Sequence, residues 1–465
     1  MHSLNNELEM LKQVIQDFEK ERPVNTAGSA REVLETLDVG LSDSGCDQDT
    51  LVDFAKKYVA LNPDVSQTDF FKLLYSGINA PGLFGEWVAS LSNANMHTYQ
   101  MSPVATLMEL ELIKQWNQLI GYEQGEGVLV SGGSQANLIG MMLGRHHKLG
   151  DCKRLGLQGK TLIAYVSDQA HYSSQRAANL LGIGTDNLIA VASDEDGRII
   201  PDELEKEIKA SLAKDHTPFY IGLTAGTTVI GAYDPIKPCA EIAKRYDLWL
   251  HVDGAWGAPV LFSKEHRHLM DDVSLSDSMS WDAHKLLSVP LTSSGVQVKK
   301  AGILKEAIAG GGGEYLFHQD ENADFNLGEK SIQCGRRADS LKVWMSWKAN
   351  GANGFANKVD HLQAMKRHCV EQIENHPRFK LLAPTAYLNI LFRYEPETEL
   401  TEEQLRELNI TICKNLKSKG SAFIDYASFK GRSGIRLILG NVDTTKEIVD
   451  KVLALCAAEG DLLTK

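Results

Sequence analysis

The chain has 465 residues, of which 43% are hydrophobic and 23% are charged, and its formal net charge at pH 7 is −13. This length predicts two or three structural units rather than one simple core. The acidic balance argues against nucleic acid and against an anionic membrane surface as partners.

The first 100 residues are predicted to be mostly helical. Residues 5–20 carry apolar side chains at helical spacing, and loops interrupt the helical patterns that follow. We assign residues 1–100 to an N-terminal helical segment. Another amphipathic pattern predicts a helix over 104–120, near the start of a large domain that we assign to 101–350.

Within this large domain, short apolar runs alternate with stretches of helical periodicity. Strands are predicted at 127–130, 161–166, 188–191, 219–223, 248–252 and 278–282, and helices at 135–148, 202–214 and 236–246. Strands separated by helices of about ten to fifteen residues form parallel βαβ units. The pattern therefore predicts an α/β fold with a mostly parallel sheet over about 125–300.

The end of the chain has a different pattern. A long helix from about residue 355 precedes strands at 387–392 and 434–439, which alternate with helices at 401–418 and 443–458. This order predicts a small C-terminal α+β domain over 351–465.

Targeting signals and cysteines bear on the location of the protein. The first residues have no basic region followed by an apolar run, so we expect no secretory signal. No stretch approaches the roughly eighteen apolar residues of a membrane span, so we expect no membrane partner. The seven cysteines are dispersed without a CxxC pair, which favours reduced thiols in a cytoplasmic protein.

Two residues at predicted strand ends suit one cofactor in particular. Lys285 follows the strand 278–282, and Asp253 closes the strand before it. Pyridoxal phosphate needs an amine for a Schiff base and a carboxylate opposite its ring nitrogen. Each unit by which this carboxylate raises the pKa of the nitrogen is worth about 1.4 kcal/mol. A solvated surface lysine and a strand-end turn residue are the plain alternatives.

Three further segments lie at strand ends, where ligands bind in open α/β sheets. The glycine turn 131–135 suits an anion at a helix N-terminus, although glycine and serine also serve simply as caps. Thr227 suits either a phosphate contact or an ordinary turn. His171 suits stacking on a pyridine ring and proton transfer, or else a structural role. The glycine turn matches neither GxxxxGK[ST] nor GxGxxG, which disfavours nucleoside triphosphates and dinucleotides.

Together these residues resemble the group II pyridoxal-phosphate decarboxylases. Within that family the resemblance is closest to the branch of glutamate, aspartate and cysteine sulfinate decarboxylases, and it runs from about residue 68 to 445 in consistent order. The similar segments are His171-Tyr172-Ser173, Ala225-Gly226-Thr227-Thr228, His251-Val252-Asp253-Gly254-Ala255-Trp256-Gly257, Ser280-Trp281-Asp282-Ala283-His284-Lys285, Gly85-Glu86-Trp87, Asn95-Met96, Pro103, Tyr315-Leu316-Phe317 and Ile332-Gln333-Cys334-Gly335-Arg336.

This resemblance implies a fold-type I architecture with a mostly parallel seven-stranded sheet flanked by helices. It implies pyridoxal 5'-phosphate as cofactor and a homodimer with active sites shared between the subunits. The implied reaction is the α-decarboxylation of an acidic L-amino acid, with aspartate, cysteine sulfinate and glutamate left open.

The resemblance also implies roles for single residues. Lys285 would bind the cofactor covalently, Asp253 would pair with its ring nitrogen, and His171 would stack on its ring. Tyr315 would be the catalytic-loop tyrosine, supplied across the dimer, and Arg436 would hold the α-carboxylate of the substrate. The further expected cofactor contacts are Ser134, Gln135, Thr227, Ala255 and His284.

Some positions depart from the family pattern. Asp282 stands where many members have asparagine, so His284 or a nearby lysine must offset a carboxylate close to the phosphate. Leu73 replaces a glutamine that lines the substrate pocket. His97, two residues after Asn95, replaces an aromatic residue that contributes to side-chain selection. We therefore expect Asn95, His97 and Leu73 to bear on the choice of substrate.

Other functions stay open at this point. One is a fold-type I enzyme of another reaction class, such as an aminotransferase or aldolase, or a decarboxylase of a non-acidic amino acid. Another is a degenerate relative that serves as a binding or scaffold protein. Tyr315 and Arg436 favour decarboxylation, and intact Lys285, Asp253 and His171 disfavour a degenerate relative.

Overall fold

The computed structural model describes residues 4–20, 22–24, 28–310, 313, 315–318 and 320–465. Helices and strands alternate through most of these residues. The helices are α1 (Asn5–Phe18), α2 (Ala30–Thr36), α3 (Gln48–Leu61), α4 (Ala80–Ser92), α5 (Pro103–Ile120), α6 (Gly133–Lys148), α7 (Cys152–Leu155), α8 (Ser173–Leu180), α9 (Pro201–Ala213), α10 (Ile236–Tyr246), α11 (Ile303–Ile308), α12 (Ser340–Asn375), α13 (Glu402–Ser418) and α14 (Lys446–Leu463). The strands are β1 (Glu126–Val130), β2 (Leu162–Ser167), β3 (Leu188–Val191), β4 (Thr217–Thr224), β5 (Trp249–Asp253), β6 (Ser278–Asp282), β7 (Ser294–Val298), β8 (Phe379–Leu381), β9 (Asn389–Tyr394), β10 (Asp425–Phe429) and β11 (Arg432–Ile438).

The large sheet has seven strands in the order β1-β7-β6-β5-β4-β2-β3. Neighbouring strands from β6 to β3 are parallel, whereas β7 runs antiparallel to both β6 and β1. Strands β1, β2 and β6 are buried along their whole length, because helices cover both faces of such a sheet. The α/β fold with a mostly parallel seven-stranded sheet is therefore confirmed.

The smaller sheet is antiparallel, with strands in the order β10-β11-β9-β8. Helices α13 and α14 belong to the same C-terminal α+β part of the chain. The backbone N–H of Phe71 donates to the carbonyl of Phe423 at 2.9 Å, and that of Ile438 donates to the carbonyl of Phe71 at 3.0 Å. The N-terminal segment is thus tied to the C-terminal sheet.

Helix α12 runs past the predicted boundary at residue 350. Gly351 interrupts it with φ +65° and ψ 173°, outside the helical region and unfavourable for residues with a Cβ. The division of the chain at 100 and 350 stays a prediction. Within the described residues, no helix is long and apolar enough to cross a membrane.

Aromatic packing fixes the strand that leads to Lys285. The indole of Trp281 on β6 stacks on that of Trp116 on α5, with ring centroids 5.4 Å apart and an interplanar angle of 9°. Phe262 meets Trp281 edge-on at 5.6 Å. Both tryptophans are fully buried, and offset or edge-on aromatic pairs add about 0.5–1.5 kcal/mol to the burial of their area. The end of β6 therefore has little freedom to move.

Helix α6 lies unusually close to the sheet because glycines face β5. A Cβ built on Gly140 would lie 2.4 Å from Nδ1 of His251, and a Cβ on Gly144 would lie 3.1 Å from the Cβ of Trp249. Both ring nitrogens of His251 are already engaged, with Ser278 Oγ at 2.8 Å and Asn137 Oδ1 at 3.0 Å. The absence of a side chain at Gly140 thus sets the distance between α6 and the sheet.

We expect Gly140→Ala to lower the free energy of unfolding by about 1–3 kcal/mol, because the new methyl would overlap the imidazole of His251. Urea denaturation of the purified protein measures this change. Gly150→Ala is the matched control, since a Cβ at Gly150 meets nothing within 4 Å. Equal stability of the two variants would contradict the close contact between α6 and β5.

Candidate active site

A cavity of about 290 Å³ opens at the carboxyl ends of the central strands. It brings together residues that are far apart in the sequence, because parallel strands end at the same edge of the sheet. Six predicted site residues line it, namely Ser134, His171, Asp253, Ala255, His284 and Lys285. The other lining residues are Leu74, Ser131, Gly132, Gly133, Asn137, Thr224, Gly226, Thr228, Trp256, Asp282 and Thr292.

Asp253 ends β5 and is surrounded by hydrogen-bond donors. Its Oδ2 accepts from Asn137 Nδ2 at 2.7 Å, and its Oδ1 accepts from Ser280 Oγ at 3.0 Å and from the backbone N–H of Ala255 at 3.1 Å. Burial raises the pKa of Asp253, but the charge of Lys285 and these hydrogen bonds outweigh burial and lower it overall. The carboxylate is therefore ionised and can stabilise a proton on a base beside it.

Asn137 was not singled out from the sequence, yet it holds the site together. Its Nδ2 donates to Asp253, and also to Ser173 Oγ at 3.0 Å, which leaves its Oδ1 to accept from Nε2 of His251. Burial lowers the pKa of His251, so the ring is neutral. Asn137 lies one helical turn after Ser134 on α6, and this spacing is the signal that could have revealed it.

His171 follows β2 and has one ring nitrogen occupied. The backbone N–H of Ser173 donates to its Nδ1 at 3.2 Å, and its ring lies 4.2 Å from the ring of Tyr172. Burial lowers the pKa of His171, while the charge of Asp253 opposes this shift. A neutral imidazole that accepts at Nδ1 carries its proton on Nε2.

Lys285 and His284 both lie near the unexpected carboxylate of Asp282. Lys285 Nζ is 3.4 Å from Asp282 Oδ2, and His284 Nε2 is 3.6 Å from the same atom. Because the backbone N–H of Ser293 donates to His284 Nδ1 at 3.1 Å, the neutral ring directs its Nε2–H towards Asp282. These distances agree with the expectation that neighbouring groups offset the carboxylate.

The glycine turn before α6 leaves room beside the helix N-terminus. Gly132 has φ +124°, which favours glycine, and a Cβ on Gly133 would lie 2.8 Å from Asp282 Oδ2 and 3.0 Å from the Cβ of Ala255. Gln135 closes the turn, because its Oε1 accepts from the N–H of Ser131 at 2.8 Å, and it is not among the lining residues. Ser134 lines the cavity.

The loop that follows β4 presents Thr228 rather than Thr227 to the cavity. Thr227 is buried, and its Oγ1 accepts from the N–H of Ala232 at 2.9 Å. From the small sheet, Asn389 Nδ2 donates to the carbonyl of Thr228 at 2.9 Å, and Asn389 Oδ1 accepts from the indole of Trp256 at 2.7 Å. Asn389 thus fixes two walls of the cavity from outside.

Arg436 and Leu73 lie outside the lining of the cavity. Arg436 is buried on β11 opposite Asp425, and its Nε has no hydrogen-bond partner among the described residues. Burial lowers the pKa of this guanidinium. Leu73 packs against an apolar cluster that contains Phe70 and Phe423, and the next residue, Leu74, lines the cavity instead.

Asn95, His97 and Tyr315 also lie away from the cavity of their own chain. Asn95 Oδ1 accepts from the N–H of Arg336 at 3.1 Å, and the carbonyl of His97 accepts from the N–H of Gly328 at 3.0 Å. The side chain of Tyr315 is 80% exposed. The structure therefore does not bring these three predicted residues to Lys285 within one chain.

The functional groups that line the cavity suit the binding of pyridoxal phosphate. Lys285 offers the amine, ionised Asp253 offers the partner for a ring nitrogen, and His171 and Ala255 line the space between them. The side-chain-free backbone at Gly132 leaves space for a phosphate at the N-terminus of α6, whose first N–H groups have no partner within the helix.

Comparison with known proteins agrees with this geometry. A family described as the pyridoxal-dependent decarboxylase conserved domain matches residues 32–395. The chain is 34% identical to the cysteine sulfinic acid decarboxylase of Mus musculus over 91% of this chain and 88% of that protein. It is 35% identical to the acidic amino acid decarboxylase GADL1 of Homo sapiens over 93% of this chain and 84% of that protein. A crystal structure of mouse CSAD superimposes with a TM-score of 0.94 at 31% identity, covering 98% of both chains.

We expect Asn137→Ala to weaken the binding of pyridoxal phosphate by roughly tenfold or more, because a hydrogen bond to a charged group contributes about 1.5–3 kcal/mol. Titration of the cofactor into the apoenzyme, followed by absorbance, measures this change. Asn415→Ala is the matched control, since Asn415 Nδ2 donates to Glu459 Oε1 at the same 2.7 Å far from the cavity. Unaltered cofactor affinity in Asn137→Ala would exclude Asn137 from the support of Asp253.

Proposed function

The chain belongs to the pyridoxal-dependent decarboxylase family and is a pyridoxal-phosphate-dependent amino acid decarboxylase, and from this premise we propose that its substrate is an acidic L-amino acid. Aspartate, cysteine sulfinate and glutamate are the candidates. The observation that carries this proposal is the identity of 33–35% to relatives named for cysteine sulfinic acid or for acidic amino acids.

Charged and polar groups of the chain support an anionic substrate. Arg436 is a buried guanidinium with an unpartnered Nε, and such a group suits the α-carboxylate. His97 Nδ1 lies 3.2 Å from Thr98 Oγ1, and its Nε2 makes no hydrogen bond within the part of the chain that the structure describes. This imidazole suits a distal carboxylate or sulfinate.

We assign a separate role in decarboxylation to each residue of the proposed site. Bound pyridoxal phosphate supplies a cationic ring that accepts the electron pair left when CO2 departs. Lys285 would hold the cofactor through its amine, and ionised Asp253 would keep the ring nitrogen protonated. His171 would lie against the ring, and Arg436, which lies outside the lining of the cavity, would orient the carboxylate that leaves. Ser134, Thr228 and His284 would contact the phosphate from the lining of the cavity. Gln135 and Thr227 are the other proposed contacts, although neither lines the cavity.

Tyr315 is the proposed proton donor to the α-carbon, with His171 as the competing donor. Because Tyr315 is highly exposed and does not line its own cavity, its role requires the cavity of a second subunit. Asn95 and His97 have the same requirement.

A homodimer is therefore part of the proposal. Helix α4 exposes an apolar face of Phe84, Trp87 and Leu91 at helical spacing, with exposed fractions of 53%, 42% and 69%. Val104 and Leu107 are similarly exposed on α5. Exposed apolar patches of this kind mark interaction sites in soluble proteins, and a second copy would bury them.

We further propose a cytoplasmic location. All seven cysteines are free, including the exposed Cys46 and Cys334, which suits a reducing compartment. The net charge of −13 supports the proposal that neither nucleic acid nor an anionic membrane is a partner.

The substrate proposal predicts CO2 release from aspartate, cysteine sulfinate or glutamate in preference to tyrosine and lysine. Lys285→Ala should reduce this release by roughly three orders of magnitude or more, the scale seen when a catalytic nucleophile is removed. Lys305→Ala is the control, because Lys305 is an exposed lysine paired with Glu329 at 2.7 Å outside the cavity. Faster release from a non-acidic amino acid would refute the substrate class, and a keto-acid product would indicate an aminotransferase.

The shared site predicts complementation between two defective variants. Tyr315→Phe and Lys285→Ala homodimers should both be impaired, whereas randomly mixed dimers should recover about a quarter of the wild-type rate. The reason is that half of the dimers are hybrids, each with one cavity that combines an intact Lys285 and an intact Tyr315. If Tyr315 acted within its own chain, mixing would restore nothing.

A further inference from the structure

A second cavity, of about 490 Å³, lies beside the loop that carries Lys285 but outside the candidate active site. Its exposed apolar lining includes Ile78 and Val442, and its polar lining includes Asn357, Lys358 and His361. No carboxylate is among the residues that line it. The volume lies within the range of small-molecule sites.

Lys358 is a buried amine that has no ion-pair partner among the described residues. Only 9% of the residue is exposed, and its Nζ donates to Ser288 Oγ at 2.7 Å. It forms no ion pair with any carboxylate in the described residues. Burial lowers the pKa of Lys358 to about 7, and the negative charge of Asp443 only partly opposes this shift. An anion in the cavity would stabilise the protonated form of this amine.

The walls of the cavity restrict the kind of anion. Ile78 and Val442 offer exposed apolar surface, which suits an aliphatic chain and disfavours inorganic phosphate. His361 lies one helical turn after Lys358 and donates from Nε2 to the carbonyl of Thr444 at 2.8 Å, so it is held at the wall. We infer that this cavity binds a small aliphatic monocarboxylate, with the carboxylate on Lys358 Nζ and the chain against Ile78 and Val442.

The site is linked to the lysine of the active site through Ser288. The hydroxyl of Ser288 accepts from Lys358 and donates to the carbonyl of Ser76 at 2.6 Å, and its backbone N–H donates to the carbonyl of Lys285 at 3.0 Å. A carboxylate on Lys358 would share the ammonium with the Ser288 hydroxyl, which accepts one of its three N–H groups. Such a ligand therefore acts on the Lys285 loop without entering the active site.

Isothermal titration of butyrate into the cofactor-loaded enzyme tests this inference, with butylamine as the cationic control of equal chain length. We expect butyrate to bind and butylamine not to bind. Lys358→Met should weaken butyrate binding at least tenfold, whereas Lys358→Arg should retain it. Lys366→Met is the matched control, because Lys366 is a half-buried lysine on the same helix whose Nζ donates to the carbonyl of Thr385 at 2.8 Å.

A second variant keeps the test decisive if Lys358→Met does not fold. Val442→Glu places a carboxylate at the exposed rim of the cavity and should also abolish butyrate binding. The inference is overturned if wild-type enzyme does not bind butyrate, if butylamine binds equally, or if binding survives in either variant. If butyrate still binds to these variants and also competes with the amino acid substrate, butyrate binds in the active site instead. None of these outcomes bears on which amino acid releases CO2.

Discussion

The hydrogen bond from Asn137 to Asp253 is the interaction on which the site depends. It joins helix α6, which carries the glycine turn, to strand β5, which carries the carboxylate. The same amide accepts from His251, whose other nitrogen is bonded to Ser278 on β6. Three adjacent elements are thereby held in one register. A buried network of this kind is stabilising only when each member is satisfied, and here its outermost group is the ionised carboxylate.

Much of the fold could be predicted from the sequence because apolar runs and helical periodicity separate cleanly in the centre of the chain. Strand β2 is a continuous apolar run from Leu162 to Val166, as expected for a sheet covered on both faces. Strand β7 was missed because Ser294, Gly295 and Gln297 interrupt its apolar pattern, although all three are buried. Strand β8 has three residues, too few for any period to be recognised.

Site residues at or just after the end of a strand could be predicted from the sequence. Residues within the turn between two elements could not. Asp253 is the last residue of β5, and Lys285 lies in the loop after β6. Because β5 and β6 are adjacent parallel strands, the topology of the sheet brings the two residues together. In the turn after β4, Thr227 is buried and Thr228 lines the cavity. The sequence pattern does not distinguish these two adjacent threonines. Asn389 was missed because its contacts cross from the small sheet, far away along the chain.

The amide of Asn389 has a consequence for how this molecule loses function on heating. Through this amide, strand β9 holds the carbonyl of Thr228 and the indole of Trp256 in place, as a clamp on the wall of the cavity. Proteins open locally in cooperative units that often coincide with supersecondary motifs, and the four-stranded antiparallel sheet at the end of the chain is one such motif. Fraying there would release the clamp and let solvent reach the ring-binding space while the central sheet stays folded. Thermal inactivation should thus precede the loss of secondary structure.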